Sequence, residues 1–195
     1  MNITTRFRAF QLDTDGSLFS VYKQNHYTLV EARLPKAGIG AIQQDLSLYG
    51  KTTIDTLHIT SWDIDHCSWN DLTAILNRFR PARIEYPGYD PESDEGRLCK
   101  RTLQRYDLIH EAYIPNLVEV TPTYIRSLDN AASWGTDNVL FPTDPQAPNK
   151  NDRSLIKLFR SPGFSVASLG DCESPDIART LMNSSIFREE VDVLV

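Results

Sequence analysis

Over the first sixty residues, apolar and polar positions alternate in short runs separated by turn-forming residues, which is the signature of strands. Phe7 to Leu12 is one such run; Asp13-Thr14-Asp15-Gly16 interrupts it, and Ser17 to Lys23 resumes the alternation. Gln24-Asn25-His26 supplies the next turn, and Tyr27 to Ala32 a third strand. Connections this short join antiparallel neighbours, so the pattern predicts a meander. The period then changes. Ile39, Ile42, Leu46 and Tyr49 recur at helical intervals across Ala37 to Tyr49, and Ile54 to Thr60 reads as a short strand.

The strongest helical pattern is Asn70 to Arg80, where Leu72, Ile75, Leu76 and Phe79 form one stripe. Asn70 or Asp71 can cap it, and Pro81 ends it. Arg83 to Tyr86 is a strand, Tyr89 to Arg97 a polar loop rich in Asp and Glu, and Leu98 to Ala112 a helix. Leu117 to Thr121 returns to strand character. Asp137 to Arg153, with three prolines, reads as a long loop of the kind that often carries function. Leu155 to Arg160 and Phe164 to Leu169 form a hairpin around Ser161-Pro162-Gly163, followed by a short helix, Pro175 to Met182, and a strand, Val191 to Val195. Strands first, helices interspersed and strands returning indicate a layered α/β fold. The short early connections argue against a doubly wound parallel sheet.

Composition narrows this picture only a little. A chain of 195 residues suits a single domain, and 41% hydrophobic with 24% charged residues is an ordinary globular balance. The net charge of −6 gives no basic footprint for wrapping a duplex. It leaves nucleic acid open as a substrate, because bound divalent cations reverse the local potential of an acidic site. Cys67, Cys99 and Cys172 are odd in number and lack C-x-x-C spacing, so no disulfide framework is expected and a reducing cytoplasm is the simplest setting. No apolar run has the length of a signal peptide core or a membrane span.

Candidate chemistry is concentrated in Thr60-Ser61-Trp62-Asp63-Ile64-Asp65-His66, between a buried strand and an amphipathic helix. Alternation would set Ser61, Asp63 and Asp65 on one side, with His66 adjacent. Carboxylates and an imidazole converging at a strand end suit a divalent cation. The competing reading is that Asp63 or Asp65 caps the following helix and His66 packs. A second carboxylate of similar setting is Asp171, where the apolar run ending Ser168-Leu169-Gly170 precedes another helix.

The run from Leu57 to His66 resembles the H-x-H-x-D-H signature of metallo-β-lactamase-fold hydrolases, and in particular the H-x-D-x-D-H variant of ComEC-type competence proteins. Phe10 to Ser17 is similar to the opening strand and turn of that group. Thr28-Leu29-Val30-Glu31-Ala32 is similar to its Ile-Asp-x-Gly strand end, with Glu31 in place of the Asp. Asn149 to Ile156 is similar to its N-x-x-S-L-V segment, and Phe164 to Asp171 to its strand ending in Thr-Gly-Asp. The resemblance implies an αββα four-layer fold over residues 1–195, as the N-terminal part of a longer domain or protein. It implies Asp65 and His66 in a second metal site, Asp63 in a first, and Asp171 bridging them. One or two divalent ions, Zn²⁺ or Mn²⁺, would then support phosphodiester hydrolysis by a nuclease or phosphodiesterase, with Asp65 orienting or deprotonating the attacking water. Single-stranded nucleic acid or a nucleotide is the implied substrate.

The departures from the pattern are specific. Ser61 stands where the family has its first His. No counterpart of the middle His is evident, since His110 lies too early. Val191 to Val195 resembles the strand that runs into the family's His-His-Gly, and the sequence stops there. These departures imply weak or absent activity in this chain, or a catalytically degenerate binding or signalling module. A partner or a further segment is expected to cover the C-terminal strand. Elsewhere, Trp62 and Trp69 read as packing residues that could stack on a base, and Trp134 as a residue of a polar connection that could line a substrate cleft. His58 reads as a buried hydrogen-bonded histidine, and Lys150, Arg153 and Lys157 as a solvated face that could present a basic edge to a phosphate.

Overall fold

The computed structural model describes residues 5–109, 116–128, 139–141, 143–161, 163–185, 187 and 191–195. They form two compact units, one of Met1–Tyr86 with Asp90–Val118, the other of Pro87–Tyr89 with Glu119–Val195.

In the first unit the meander is present. Strands β1 (Thr5–Ala9), β2 (Phe19–Lys23) and β3 (His26–Val30) pair antiparallel in that order. The β2–β3 turn places Gln24 at φ 46° and Asn25 at φ 67°, the left-handed pair whose twist matches that of a hairpin. His26 therefore opens β3 and does not sit in the turn. Helix α1 (Ile39–Ser47) follows, then β4 (Thr56–His58), α2 (Trp69–Phe79) and β5 (Arg83–Pro87). β3, β4 and β5 are parallel, because a helix spans each gap between them. Leu29, Leu57 and Ile84 stand in register across these three strands, all fully buried. The sheet is completed by β6 (Asn116–Val120), giving the order β1-β2-β3-β4-β5-β6.

The α2 stripe packs as its spacing predicts: Leu72, Ile75, Leu76 and Phe79 are each at most 1% exposed. Such side chains contribute about 1.5–3 kcal/mol each on burial. The helix is not capped by Asn70 or Asp71. Ser68 is the N-cap, and Asp71 instead turns its carboxylate to the backbone N–H of Leu34 and to Arg33. Arg80 ends α2 in the left-handed region at φ 44°, since the residue before a proline disfavours a helical conformation.

Helix α3 (Asp94–Ile109) starts four residues earlier than its apolar pattern predicts, because the acidic stretch is a helix start and not a loop. The Ser93 hydroxyl accepts from the Gly96 N–H at 3.0 Å, and Asp94 and Glu95 occupy the first turn, where the helix dipole favours negative charge.

In the second unit, α4 (Pro122–Ser127) begins at a Thr121 cap that accepts from the Tyr124 N–H, with proline at the first helical position. The expected loop at 137–153 contains a strand, β7 (Val139–Phe141), and a 3₁₀ turn over Lys150–Arg153. β7 pairs antiparallel with β8 (Ile156–Ser161), which pairs with β9 (Phe164–Ser168) as expected for the hairpin. Helix α5 (Pro175–Asn183) follows, and β10 (Val193–Leu194) adds to β9 in parallel. Val139, Phe141, Ile156, Leu158, Ala167 and Leu181 form the core of this unit. Lys157 does not belong to a solvated basic edge. It lies in the middle of β8, 4% exposed, with its ammonium 5.2 Å from the Phe159 ring centroid. Among the described residues, no helix is long and apolar enough to cross a membrane.

Candidate metal centre

The site is built where β3 ends. Glu31, the next residue, continues the sheet by donating its N–H to the His58 carbonyl at 2.8 Å, but at φ 75°, a region that non-glycine residues seldom occupy. Its carboxylate is 1% exposed, and a carboxylate so buried is tolerated only when its oxygens are satisfied. Here they are. Oε2 accepts the Thr60 N–H at 3.1 Å, and Oε1 accepts the Thr60 hydroxyl at 2.5 Å. Oε1 also lies 3.1 Å from Nδ1 of His66, itself 3% exposed.

The opposite edge of the ring turns elsewhere. His66 Nε2 stands 3.7 Å from Oδ2 of Asp65, a carboxylate that is partly exposed. That separation is too long for a hydrogen bond. It is close to the roughly 3.0–3.5 Å that two ligands keep around one ion when each lies about 2.1 Å from it.

The loop carrying these residues coils; it does not alternate like a strand. Asp63 offers its main-chain oxygen to the N–H groups of His66 (2.9 Å) and Cys67 (2.8 Å), closing a turn. Ala32 donates to the His66 carbonyl at 2.8 Å and receives the Ser68 N–H at 3.3 Å, so the turn is docked on the chain leaving β3. The coil puts Ile64 61% exposed at its tip and Trp62 2% exposed inside, with its ring 5.8 Å from that of Tyr86. Asp65 and His66 are brought together. Ser61 is buried and its hydroxyl accepts the Asp63 N–H at 3.2 Å, a local structural bond.

In the second unit, Asp171 follows Leu169-Gly170 in a tight turn, with Gly170 at φ 56° and the Cys172 N–H returning to the Leu169 carbonyl at 3.2 Å. Asp171 is partly buried there. Asp152 braces the next residues by accepting from the Glu173 N–H at 3.0 Å, and Ser174 caps α5. Burial pushes the Cys172 thiol above its ordinary range.

A histidine whose Nδ1 side is held by a buried carboxylate has its ring orientation fixed, and its Nε2, turned here towards a second carboxylate, is then placed to bind a metal ion. Imidazole nitrogen with carboxylate oxygen is a donor set accepted by both Zn²⁺ and Mn²⁺. The residues present therefore fit a divalent ion. Glu31 is the carboxylate that holds the ring, and the only sequence signal for it was its place in the strand-end motif.

The remaining residues sort themselves plainly. His58 is fully buried with Nδ1 2.9 Å from Glu85, which also accepts from Arg83 at 2.9 Å; it is a structural histidine. His26 bonds the Thr56 hydroxyl at 2.9 Å. Cys67 is fully buried, and its hydrogen bond with Cys99, followed by burial itself, drives its thiol well above the ordinary range, which disfavours a thiolate ligand. Trp69 is not packed away as expected: it is 37% exposed, with its indole N–H on the Thr102 hydroxyl at 3.1 Å. His110 and Trp134 lie outside the described residues.

No family model matches the sequence, and no curated protein matches it. Solved structures do match. The chain superimposes over its whole length on CmlA β-hydroxylase in an E377D mutant form, with TM-score 0.58 and 18% identity. It matches equally well, at TM-score 0.58 and 15% identity, the structure described as CmlA, a diiron β-hydroxylase from Streptomyces venezuelae. A third match, at TM-score 0.50 and 12% identity over 95% of the chain, is the metallo-β-lactamase fold protein YhfI from Bacillus subtilis. The chain spans 34–35% of the CmlA chains and 64% of YhfI. Identities this low speak to architecture alone, and on that ground the chain has a mixed α/β fold of the metallo-β-lactamase type.

Proposed function

We propose that the chain belongs to a metal-dependent hydrolase of phosphodiester bonds, a nuclease or phosphodiesterase. The observation that carries the reading is the fixed His66 ring, with Nδ1 against buried Glu31 and Nε2 towards Asp65. Asp65 and His66 would hold a divalent ion, Zn²⁺ or Mn²⁺. Asp63 and Asp171 join the ligand set on the strength of the sequence resemblance, with one or two ions in the complete site. When bound, the ion would acidify a coordinated water and offset charge on the phosphate.

This chain's own groups then supply orientation and proton transfer. Glu31 keeps the imidazole from rotating, which presents Nε2 and not Nδ1 to the site. Asp65 is partly exposed, so it can accept the proton of the attacking water as the new P–O bond forms and the ester P–O bond breaks. Trp69, with its ring partly exposed three residues beyond His66, offers a face on which a base of single-stranded nucleic acid or a nucleotide can stack. Ser61 is a poor metal ligand, and its occupation of a ligand position supports weak activity in this chain.

A second reading follows from the same Ser61, whose hydroxyl is committed to the Asp63 N–H: a degenerate member that binds but does not hydrolyse. Bis(p-nitrophenyl) phosphate and single-stranded DNA with added Mn²⁺ or Zn²⁺ separate the two. Metal-dependent cleavage by the wild type that disappears in Asp65→Ala supports the hydrolase. Equal turnover in that variant overturns it, and no divalent binding by calorimetry favours the degenerate module. Tightly retained iron without hydrolysis would move the reading towards the oxidative chemistry named for the CmlA structures.

A further inference from the structure

We infer that Arg33 is a positioning residue for the Asp65–His66 loop, an inference that rests on the metal-site reading and adds to it. Arg33 sits two residues beyond Glu31 and is 9% exposed. Its guanidinium fork reaches three separate pieces of chain. Nη1 donates to the carbonyls of Ile64 at 2.7 Å and Asp15 at 3.1 Å. Nη2 donates to the Thr14 hydroxyl at 2.5 Å, and Nε pairs with Asp71 at 3.3 Å.

The Ile64 carbonyl begins the peptide unit that leads into Asp65. A donor fixed on it sets the direction from which the Asp65 side chain leaves the backbone. The other bonds fix the donor. Asp71 anchors Arg33 to the first turn of α2, and Thr14 with Asp15 ties it to the turn joining β1 to β2.

That turn is also pressed directly against the loop, beside the Arg33 guanidinium. Gly16 has φ 124°, and a Cβ there would overlap the Asp65 carbonyl oxygen. The Asp65 peptide is thus held on one side by the Gly16 backbone and at its preceding carbonyl by Arg33. Only a planar fork with five donors can satisfy this set; a lysine ammonium, with three donors on one atom, cannot span it. The separation of Asp65 from His66 is consequently a property imposed by Arg33 and the Gly16 turn as well as by the two ligands.

The test uses the intact protein in wild-type, Arg33→Lys and Arg33→Ala forms. Arg8→Ala, which gives up a hydrogen bond to Asp45 elsewhere in the unit, controls for general loss of stability. Amide exchange in metal-free protein is read at His66 and Cys67, the N–H groups that close the turn. Exchange there should accelerate about tenfold or more in both Arg33 variants and stay within about twofold in Arg8→Ala, with Leu72 of α2 protected in all. Mn²⁺ affinity should fall about 10–100-fold in the Arg33 variants alone. Unchanged exchange at His66 and Cys67 in Arg33→Ala overturns the inference whether or not metal binds. Wild-type protein that binds no divalent ion, yet loses loop protection in Arg33→Ala, leaves the positioning role standing and overturns the metal-site reading.

Discussion

Oε1 of Glu31 lies 3.1 Å from Nδ1 of His66, both side chains almost wholly buried, and this pairing decides which ring nitrogen faces Asp65. Removing the carboxylate charge while keeping the shape, as in Glu31→Gln, should weaken Mn²⁺ or Zn²⁺ binding about 10–100-fold. Calorimetric titration of the two proteins checks it; equal affinities would mean that Glu31 serves the fold and not the ion.

Gly16 carries a second, purely steric expectation. At φ 124°, and with a Cβ destined to overlap the Asp65 carbonyl, Gly16→Ala combines backbone strain with displacement of the loop. A loss of about 1–3 kcal/mol is expected, read from urea unfolding. A variant as stable as the wild type would show that the turn can move aside.

Much of this architecture was readable from the chain, for identifiable reasons. The α2 stripe, the β2–β3 turn and the β8–β9 hairpin all rest on local periodicity and turn chemistry, which survive folding unchanged. What escapes falls into two groups, local turns and caps that composition masks, and contacts with partners distant in sequence. Tyr89 to Arg97 reads as a polar loop on composition alone, whereas Ser93 caps a helix whose first turn is the acidic pair Asp94 and Glu95. Val139 to Phe141 is too short to declare itself without the pairing to β8. In the site, Asp65 and His66 were legible as neighbours in a motif. The coil of the loop was not, because alternation says nothing about a turn closed by the Asp63 carbonyl. Arg33 gave no signal at all: its role depends on Thr14, Asp15, Ile64 and Asp71 converging in space.

Asp45, fully buried on α1, accepts from the hydroxyls of Ser20 (2.7 Å) and Tyr27 (2.9 Å) and from Arg8 (3.1 Å). Burial first, and then the Asp45 charge, push the Tyr27 hydroxyl far above its ordinary value. The folded state therefore holds that proton more tightly than the unfolded chain does. This contribution to stability is complete below about pH 10, the ordinary tyrosine value, and declines as pH rises above it. The urea midpoint should fall above that pH in the wild type and fall less steeply in Tyr27→Phe. Parallel curves would remove Tyr27 as the cause.

Leu158, in register with Val139 and Ala167 at the centre of the second unit, is 1% exposed. Leu158→Ala should cost about 2–5 kcal/mol through lost burial and a residual cavity. Denaturant unfolding measures it, and a cost below about 1 kcal/mol would contradict the packing described for β7, β8 and β9.

The most direct test of the metal centre is a titration of metal-free protein with Mn²⁺ and Zn²⁺, comparing the wild type with His66→Ala and Asp65→Ala. Saturable binding by the wild type, reversed by a chelator and lost or weakened at least tenfold in both variants, is the expected result. Binding that is absent in the wild type, or undiminished in both variants, would contradict a metal site at Asp65 and His66.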